Sequence, residues 1–391
     1  MIYKTGEAIT ESVIMRLIEK NEAANVRIAR LQDYYEGRQA IIYRTMGDPA
    51  KPNNKIVVNY CQYITDFLTG YLVGEPVAYE NAPEWLLDAL AYNDSDDETE
   101  RLVSDMNTCG VAFELHYTDE DGKPRFAEID PKEAILILDD TLDPKPRAFI
   151  RYYPVFDLND NKRFEVAFYT DVDITYFTLD GGLAHLSRKG EPVQHFYNDV
   201  PVAWVTNGNK AIGSFEQVMS MQDALNKVTS DELNDFEGFV DSYLVLENMG
   251  ATDSADIARM KEDRVLLLEP NSKAYWLTKQ VNDTQVKELK DRLEKKIKEL
   301  GRVLDWNNEH IYMESGEALK VRLIATETQA RKQERSLTRC IMRRLELMYN
   351  IEGYKAETGA YTDVTLSFVR GIRPDMIEPD YTKEAAGILG V

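Results

Sequence analysis

The side chains that most often do chemistry are scattered in this 391-residue sequence. Its four histidines, His116, His185, His195 and His310, stand at no spacing that would bring two of them to one metal ion. No HExxH, CxxC, GxSxG or Walker A pattern occurs. The three cysteines, Cys61, Cys109 and Cys340, are odd in number, far apart and set among apolar residues. They read as reduced packing residues of a cytosolic protein rather than a disulfide framework. Carboxylates are so abundant, 68 Asp and Glu against 46 Lys and Arg, that nearness in sequence singles out no acid–base pair. Gly181-Gly182 falls in a turn between strand candidates and opens no helix, which is the context a phosphate-cradling loop needs. The motifs thus supply no catalytic residue, metal ligand or cofactor.

The formal charge of −22 argues against tight nucleic-acid binding, because neutralisation of phosphates by Lys and Arg supplies most of that affinity. It does not exclude DNA as cargo, since a conduit is better served by weak attraction or mild repulsion than by a sticky surface. The length allows two or three domains with ample core. Neither a secretory signal nor an apolar run approaching the ~18 residues of a membrane span is present, so a soluble, unsecreted chain is expected.

The elements that position these residues read most plainly in the last third. From Asp283 to Trp306, Val286, Leu289, Leu293, Ile297, Leu300, Val303 and Leu304 form one apolar stripe at helical period, capped at Asn282 or Asp283 and stopped at Asn307-Asn308. A second helix is expected from Ser315 as N-cap, with Glu317 in its first turn and Leu337, Cys340, Ile341, Leu345 and Met348 on its stripe. At about 35 residues it would be roughly 50 Å long, against a mean helix of about 11–12 residues. His310 stands in the break between the two.

Upstream, residues 9–37 read as a helix, 44–54 as an exposed polar loop, and Asn59 opens a helix through Leu72 that Gly74 and Pro76 stop. Trp85 to Asn107 reads as one helix. Alternation then predicts strands at 113–117, 126–129, 134–138, 149–153, 164–168, 174–178 and 202–205, forming an antiparallel sheet. A helix over about 214–245 carries Asp223, Asp231, Glu232, Asp235 and Glu237 against a single Lys227. Residues 250–280 form a small module with a helix at 254–262 and strands at 265–268 and 274–278. One more strand falls at 364–369, and 381–389 is helical in pattern. The class is α+β.

In this order the elements resemble the portal proteins of tailed bacteriophages, of the siphophage type common in phages of Gram-positive bacteria. The likeness is carried by Tyr34-Tyr35-Glu36-Gly37, Lys55-Ile56-Val57-Val58-Asn59-Tyr60 and Gly70-Tyr71-Leu72-Val73-Gly74-Glu75-Pro76. It continues in Asp223-Ala224-Leu225-Asn226-Lys227, Asn234-Asp235-Phe236, Tyr243-Leu244-Val245-Leu246 and Ser315-Gly316-Glu317-Ala318-Leu319-Lys320. None is a catalytic signature.

The resemblance implies a portal fold that forms a ring, usually of twelve copies, at one capsid vertex, assembled in the host cytoplasm and carried in the virion. Double-stranded DNA would pass through it during packaging and ejection. The implied divisions are a wing (1–212 and 351–391), a first stem helix (213–246), a clip (247–281), a second stem helix (282–306), a tunnel loop (307–314) and a long helix (315–350), with the family's helical crown lacking or truncated. Asn307, Asn308, Glu309, His310, Ile311, Tyr312, Met313 and Glu314 would face DNA. Asp253, Asp256, Arg259, Lys261, Glu262 and Lys273 would dock the large terminase subunit and then head–tail adaptors. Major capsid and scaffolding proteins are the other implied partners, with no membrane, cofactor or bond chemistry. Two other classes fit the same sequence: a Mg²⁺-dependent nuclease using clustered carboxylates, and a non-viral helical scaffold.

Overall fold

The computed structural model describes residues 1–49, 51–179, 185–240, 243–248, 271–277, 283–305, 316–351 and 360–371. The chain divides into two compact units. The first comprises Met1–Arg38, Asn59–Met219 and Ile297–Val391, and the second Gln39–Val58 and Ser220–Lys296.

The first unit is built in layers, and residue alternation dictates each of them. Helix α1 (Glu11–Tyr35) starts where Thr10 Oγ1 accepts the Val13 N–H and buries Ile14, Leu17 and Ile18. These pack on Ile135, Ile137, Ile150 and Phe177 of a six-stranded sheet. Its order is β1 (Ile2–Lys4), β5 (Ala134–Leu138), β6 (Pro146–Phe156), β7 (Lys162–Tyr169), β8 (Asp173–Leu179) and β9 (Leu186–Gln194). Residues of opposite parity on β5 and β6, Leu136, Leu138 and Phe149, face the other way, onto Phe113, Leu115 and Val202 of a second sheet. That sheet has order β10 (Val202–Thr206), β3 (Val111–Thr118), β4 (Pro124–Ile129). Its far face, Ala112, Ala203 and Val205, is covered by α2 (Tyr60–Val73), α4 (Ser95–Cys109) and α7 (Gly316–Asn350) through Tyr71, Leu102, Met106, Leu337 and Ile341. Helix α3 (Glu84–Tyr92) and the short pair β2 (Ala78–Glu80) with β13 (Thr365–Ser367) complete the unit.

The second unit holds α5 (Met219–Val240), most of α6 (Asp283–Gly301) and the antiparallel pair β11 (Tyr243–Glu247) and β12 (Lys273–Leu277). A polar zip fastens residues 54–58 to α5. Asn54, Ile56 and Val58 donate alternate backbone N–H groups to Asn234 Oδ1 (2.8 Å), Ser230 Oγ (2.9 Å) and Asn226 Oδ1 (2.9 Å). Two extended residues advance about 6.6 Å and four helical ones about 6.0 Å, so the two periods match over this length. Arg44 locks the preceding turn to Asp231 at 2.6 Å and to the Asn54 carbonyl.

Most strands fall where alternation puts them, and four expectations are corrected. The helix over 85–107 is two, because Asn93 turns its amide onto the Ala89 and Pro124 carbonyls and Asp94 takes a left-handed φ of 48°. The helix over 214–245 opens with a 3₁₀ turn at Glu216–Val218, and Tyr243–Val245 is strand, as its aromatic and β-branched content favours. The helix from Asp283 ends at Gly301, five residues before Trp306. The antiparallel sheet is two sheets, with β1 running parallel to β5. The loop 44–54 is exposed at Thr45, Gly47, Asp48, Pro49 and Lys51, as expected, with both ends held to α5. Strands β1, β2 and β9 escaped the pattern, β9 because it is exposed throughout beyond Leu186 and carries no apolar alternation. The turn at 180–182, the helix at 254–262, the strand at 265–268 and the helical pattern at 381–389 lie outside the described residues.

Candidate functional site

All eight tunnel-loop candidates, Asn307 to Glu314, lie outside the described residues, as do Asp253, Asp256, Arg259, Lys261 and Glu262. Lys273 opens β12, is exposed, and sits opposite Glu247, whose carboxylate also accepts from Tyr275 Oη at 2.8 Å. It is therefore the one member of either set that the structure places.

Helix α6 ends in a Schellman turn, in which Arg302 (φ 59°) donates its N–H to the Glu299 carbonyl and Val303 to that of Lys298. Gly301 is required here because a Cβ would lie 2.6 Å from Ile64 Cδ1. Of the apolar stripe on α6, Ile297 is buried together with Val303 and Leu304 beyond the helix end, while Leu289 and Leu300 remain about 40% exposed. The exit is clamped to the third turn of α7. Thr326 Oγ1 donates to the Arg302 carbonyl (2.7 Å), the Arg302 guanidinium to Gln329 Oε1, and Lys298 to Asp305 (2.7 Å).

This clamp is the end of a buried amide network. Gln329 Nε2 donates to Asn207 Oδ1 (2.8 Å), Gln333 Nε2 to Asn107 Oδ1 (2.6 Å), and Asn107 Nδ2 to Thr69 Oγ1 (3.1 Å). Beside it lies a cleft of about 370 Å³, lined by Lys210, Arg302 and Lys332 with Asn207, Ser214 and Gln217 and by no carboxylate. In a chain of net charge −22 this is a local reversal of sign, suited to water or an anion.

Further along α7, Arg344 and Glu114 form an ion pair with no solvent access. Arg344 Nε lies 3.0 Å from Oε1 and Nη2 2.5 Å from Oε2, Nη1 donates to Thr99 Oγ1 (2.9 Å), and His116 Nε2 lies 3.0 Å from Glu114 Oε1. Burial alone would raise the Glu114 carboxyl; Arg344 and His116 override it and hold it down at about 2. Burial keeps His116 below its ordinary value despite Glu114, so the imidazole is neutral. Nearby, burial and a mutual hydrogen bond raise Asp105 well above the carboxylate range, and burial raises Glu128 with it. At the chain's last described turn Arg370 grips Glu327 (2.9 Å) and Glu334 (2.6 Å).

None of this was singled out from the sequence. The signal available was polar residues, Thr326, Gln329, Gln333, Ser336 and Arg344, interrupting the apolar stripe of α7. Glu114 and His116 are buried because α7 covers that face of β3. Among the described residues no group of His, Cys, Asp and Glu could hold a metal ion, and no helix is long and apolar enough to cross a membrane. Cys61, Cys109 and Cys340 form no disulfide with one another and are buried.

Comparison with known proteins places these features in a family. The model of the phage portal protein family described as SPP1 Gp6-like matches residues 14–380. The portal protein of Bacillus phage SPP1 is 22% identical over 275 residues, which are 63% of this chain and 54% of that protein, so the match spans about half of its length. Among solved structures, a chain in the neck of an empty GTA particle aligns over 84% of both chains at 12% identity with a TM-score of 0.49. An HK97-family phage portal protein from Corynebacterium diphtheriae aligns over 81% of this chain and 92% of its own at 10% identity, TM-score 0.38. With nearly its whole length matched by that one family model, the chain belongs to the SPP1 Gp6-like family of phage portal proteins.

Proposed function

We propose that this chain is the subunit of a portal ring, of twelve copies, at one vertex of a phage capsid, through which double-stranded DNA is packaged and ejected. The family match over residues 14–380 carries the reading. The second compact unit holds α5, most of α6 and the β11–β12 pair and corresponds to stem and clip, with residues 39–58 strapped along α5. Residues 1–212 and 351–391 otherwise form the wing, 307–314 the tunnel loop and 315–350 the long helix. The clip, with Lys273 on its strand β12, docks the large terminase subunit during packaging and a head–tail adaptor afterwards. Capsid and scaffolding proteins hold the wing in the virion. The portal itself performs no bond chemistry, and its acidity keeps passing DNA from adhering.

Electron microscopy of the purified protein, with its mass measured by light scattering, tests the reading. Rings with a central channel and a mass near twelve subunits are expected; a monomer at every concentration overturns it.

A further inference from the structure

Two exposed patches of opposite charge lie on opposite edges of the three-stranded sheet. At the β10 edge, α7 is fastened by Ser336, whose Oγ accepts the Thr206 N–H (3.1 Å), and by Arg343, which donates to the Val200 carbonyl (2.9 Å). On that turn Lys332, Arg335 and Arg339 are exposed, and none of the three is paired with a carboxylate among the described residues. Arg339 also rims a cleft of about 400 Å³ with Trp204, Pro144 and Pro146 as its apolar wall, where the carboxylates of Asp199 and Glu346 are paired with Arg343 and Asp143 lies at the rim with Lys145. At the β4 edge, Asn93 Oδ1 accepts the Phe126 N–H (3.1 Å) and Glu98 Oε2 the Glu128 N–H (2.8 Å), which fixes α3 and α4 there. Residues 80–100 contain no Lys or Arg. Glu80, Glu84, Asp88, Asp94, Asp96 and Glu100 are exposed there and paired with no cation among the described residues, and Leu87 is exposed between Glu84 and Asp88.

We infer that these two patches bind each other between copies of this chain, the acidic α3–α4 face of one copy against the basic α7 face of the next. The charges are complementary, and Leu87 offers an apolar side chain to the cleft beside Trp204. Because the patches sit on opposite edges of one sheet, a copy engaged through one leaves the other free. The contact is therefore heterologous, head to tail, and closes into a ring or propagates according to the rotation between copies. This rests on the portal reading for its closure and names the surfaces that reading leaves open.

The test is charge reversal on the full-length chain. R335E/R339E and E84K/D88K are each expected to weaken self-association at least about a hundredfold in light scattering. An equimolar mixture of the two restores assembly, because the reversed faces complement each other. Near-ultraviolet circular dichroism checks that the substituted copies stay folded. The unmodified chain gives a second readout, since its assembly weakens as salt shortens the screening length from about 10 Å at 0.1 M to about 3 Å at 1 M. Variants that assemble like the unmodified chain, a mixture that stays dissociated, or assembly indifferent to salt overturns the inferred contact. Rings that persist in both variants overturn it while leaving the portal reading intact, whereas an unmodified chain that never assembles refutes both.

Discussion

Replacing Arg344 with methionine removes the cation from an ion pair fully buried among α4, β3 and α7 and leaves Glu114 with only the neutral His116 beside it. Breaking such a pair from one side costs about 3–5 kcal/mol, because the remaining charge is buried away from water with no cation to balance it. At about 2 cal/mol/K of unfolding entropy per residue, the first unit loses about 2 °C of midpoint per kcal/mol, so R344M is expected to melt about 6–10 °C lower. R344M/E114Q removes both charges and keeps an acceptor for His116 Nε2, and it should recover most of that loss. The pH dependence checks the same pair independently. The folded carboxyl titrates at about 2 and an unfolded glutamate near ~4.3, so the pair's contribution is complete above that value and vanishes as pH falls toward 2. The loss is on the order of 3 kcal/mol in the native chain and absent from R344M/E114Q. Calorimetry between pH 6 and pH 3 decides. A single variant that melts within 2 °C of the native chain, or parallel pH curves for native chain and double variant, would falsify the reasoning.

Three further outcomes are expected. Asn226→Ala removes the acceptor for the Val58 N–H and the donor to Gln39, about 1–3 kcal/mol, so hydrogen exchange at Val58 should quicken at least about tenfold; unchanged exchange sinks the polar zip. Because Asp105 and Glu128 titrate above their ordinary values, the stability they contribute is present at low pH and lost as pH rises through those values. Asp105→Asn keeps the hydrogen bond without titrating, so its melting point should fall less between pH 5 and pH 8 than that of the native chain, and equal slopes would count against a shared proton. Replacing Glu309 and Glu314 with lysine should give rings that assemble but retain DNA, and packaging at the normal rate contradicts that.

What was legible in the sequence follows from which side chains carry a period. Strand β5 was read to the residue because an unbroken Ala134–Leu138 run fits a strand buried on both faces, and α2 because Asn59 and Gly74 mark its ends. The breaks at Asn93-Asp94 and Gly301-Arg302 were missed because left-handed turns there are stabilised by tertiary contacts, to Phe126 and Pro124 in one case and to Ile64, Thr326 and Gln329 in the other. The polar zip on α5 was invisible for a related reason. Asn226, Ser230 and Asn234 read as a solvated flank until residues 54–58 are laid along them, and no local rule predicts that partner.

The polar residues on the buried face of α7 raise the question of what they do that apolar ones would not. Leu323, Ala330, Leu337 and Arg344 recur every seven residues, as do Thr326, Gln333, Cys340 and Leu347, so the apolar stripe alone would tolerate displacement along the axis. A slip of one turn is about 5.4 Å and would carry Arg344 away from Glu114 and Gln333 from Asn107. The polar contacts thus fix a register that hydrophobic burial leaves loosely set, as a polar residue at one core position does in a coiled coil. Gln333→Leu leaves Asn107 Oδ1 its bond from Ser214 and Asn207 Oδ1 its bond from Gln329, and it removes a Gln333 Oε1 that is itself buried without a partner. Q333L/R344M/E114Q should therefore be about as stable as the native chain while losing uniqueness. Isoleucine methyl spectra should show doubled or broadened signals for Ile341, and binding of a hydrophobic dye should rise. One sharp set of methyl signals in that variant would mean that shape complementarity alone holds α7 in place.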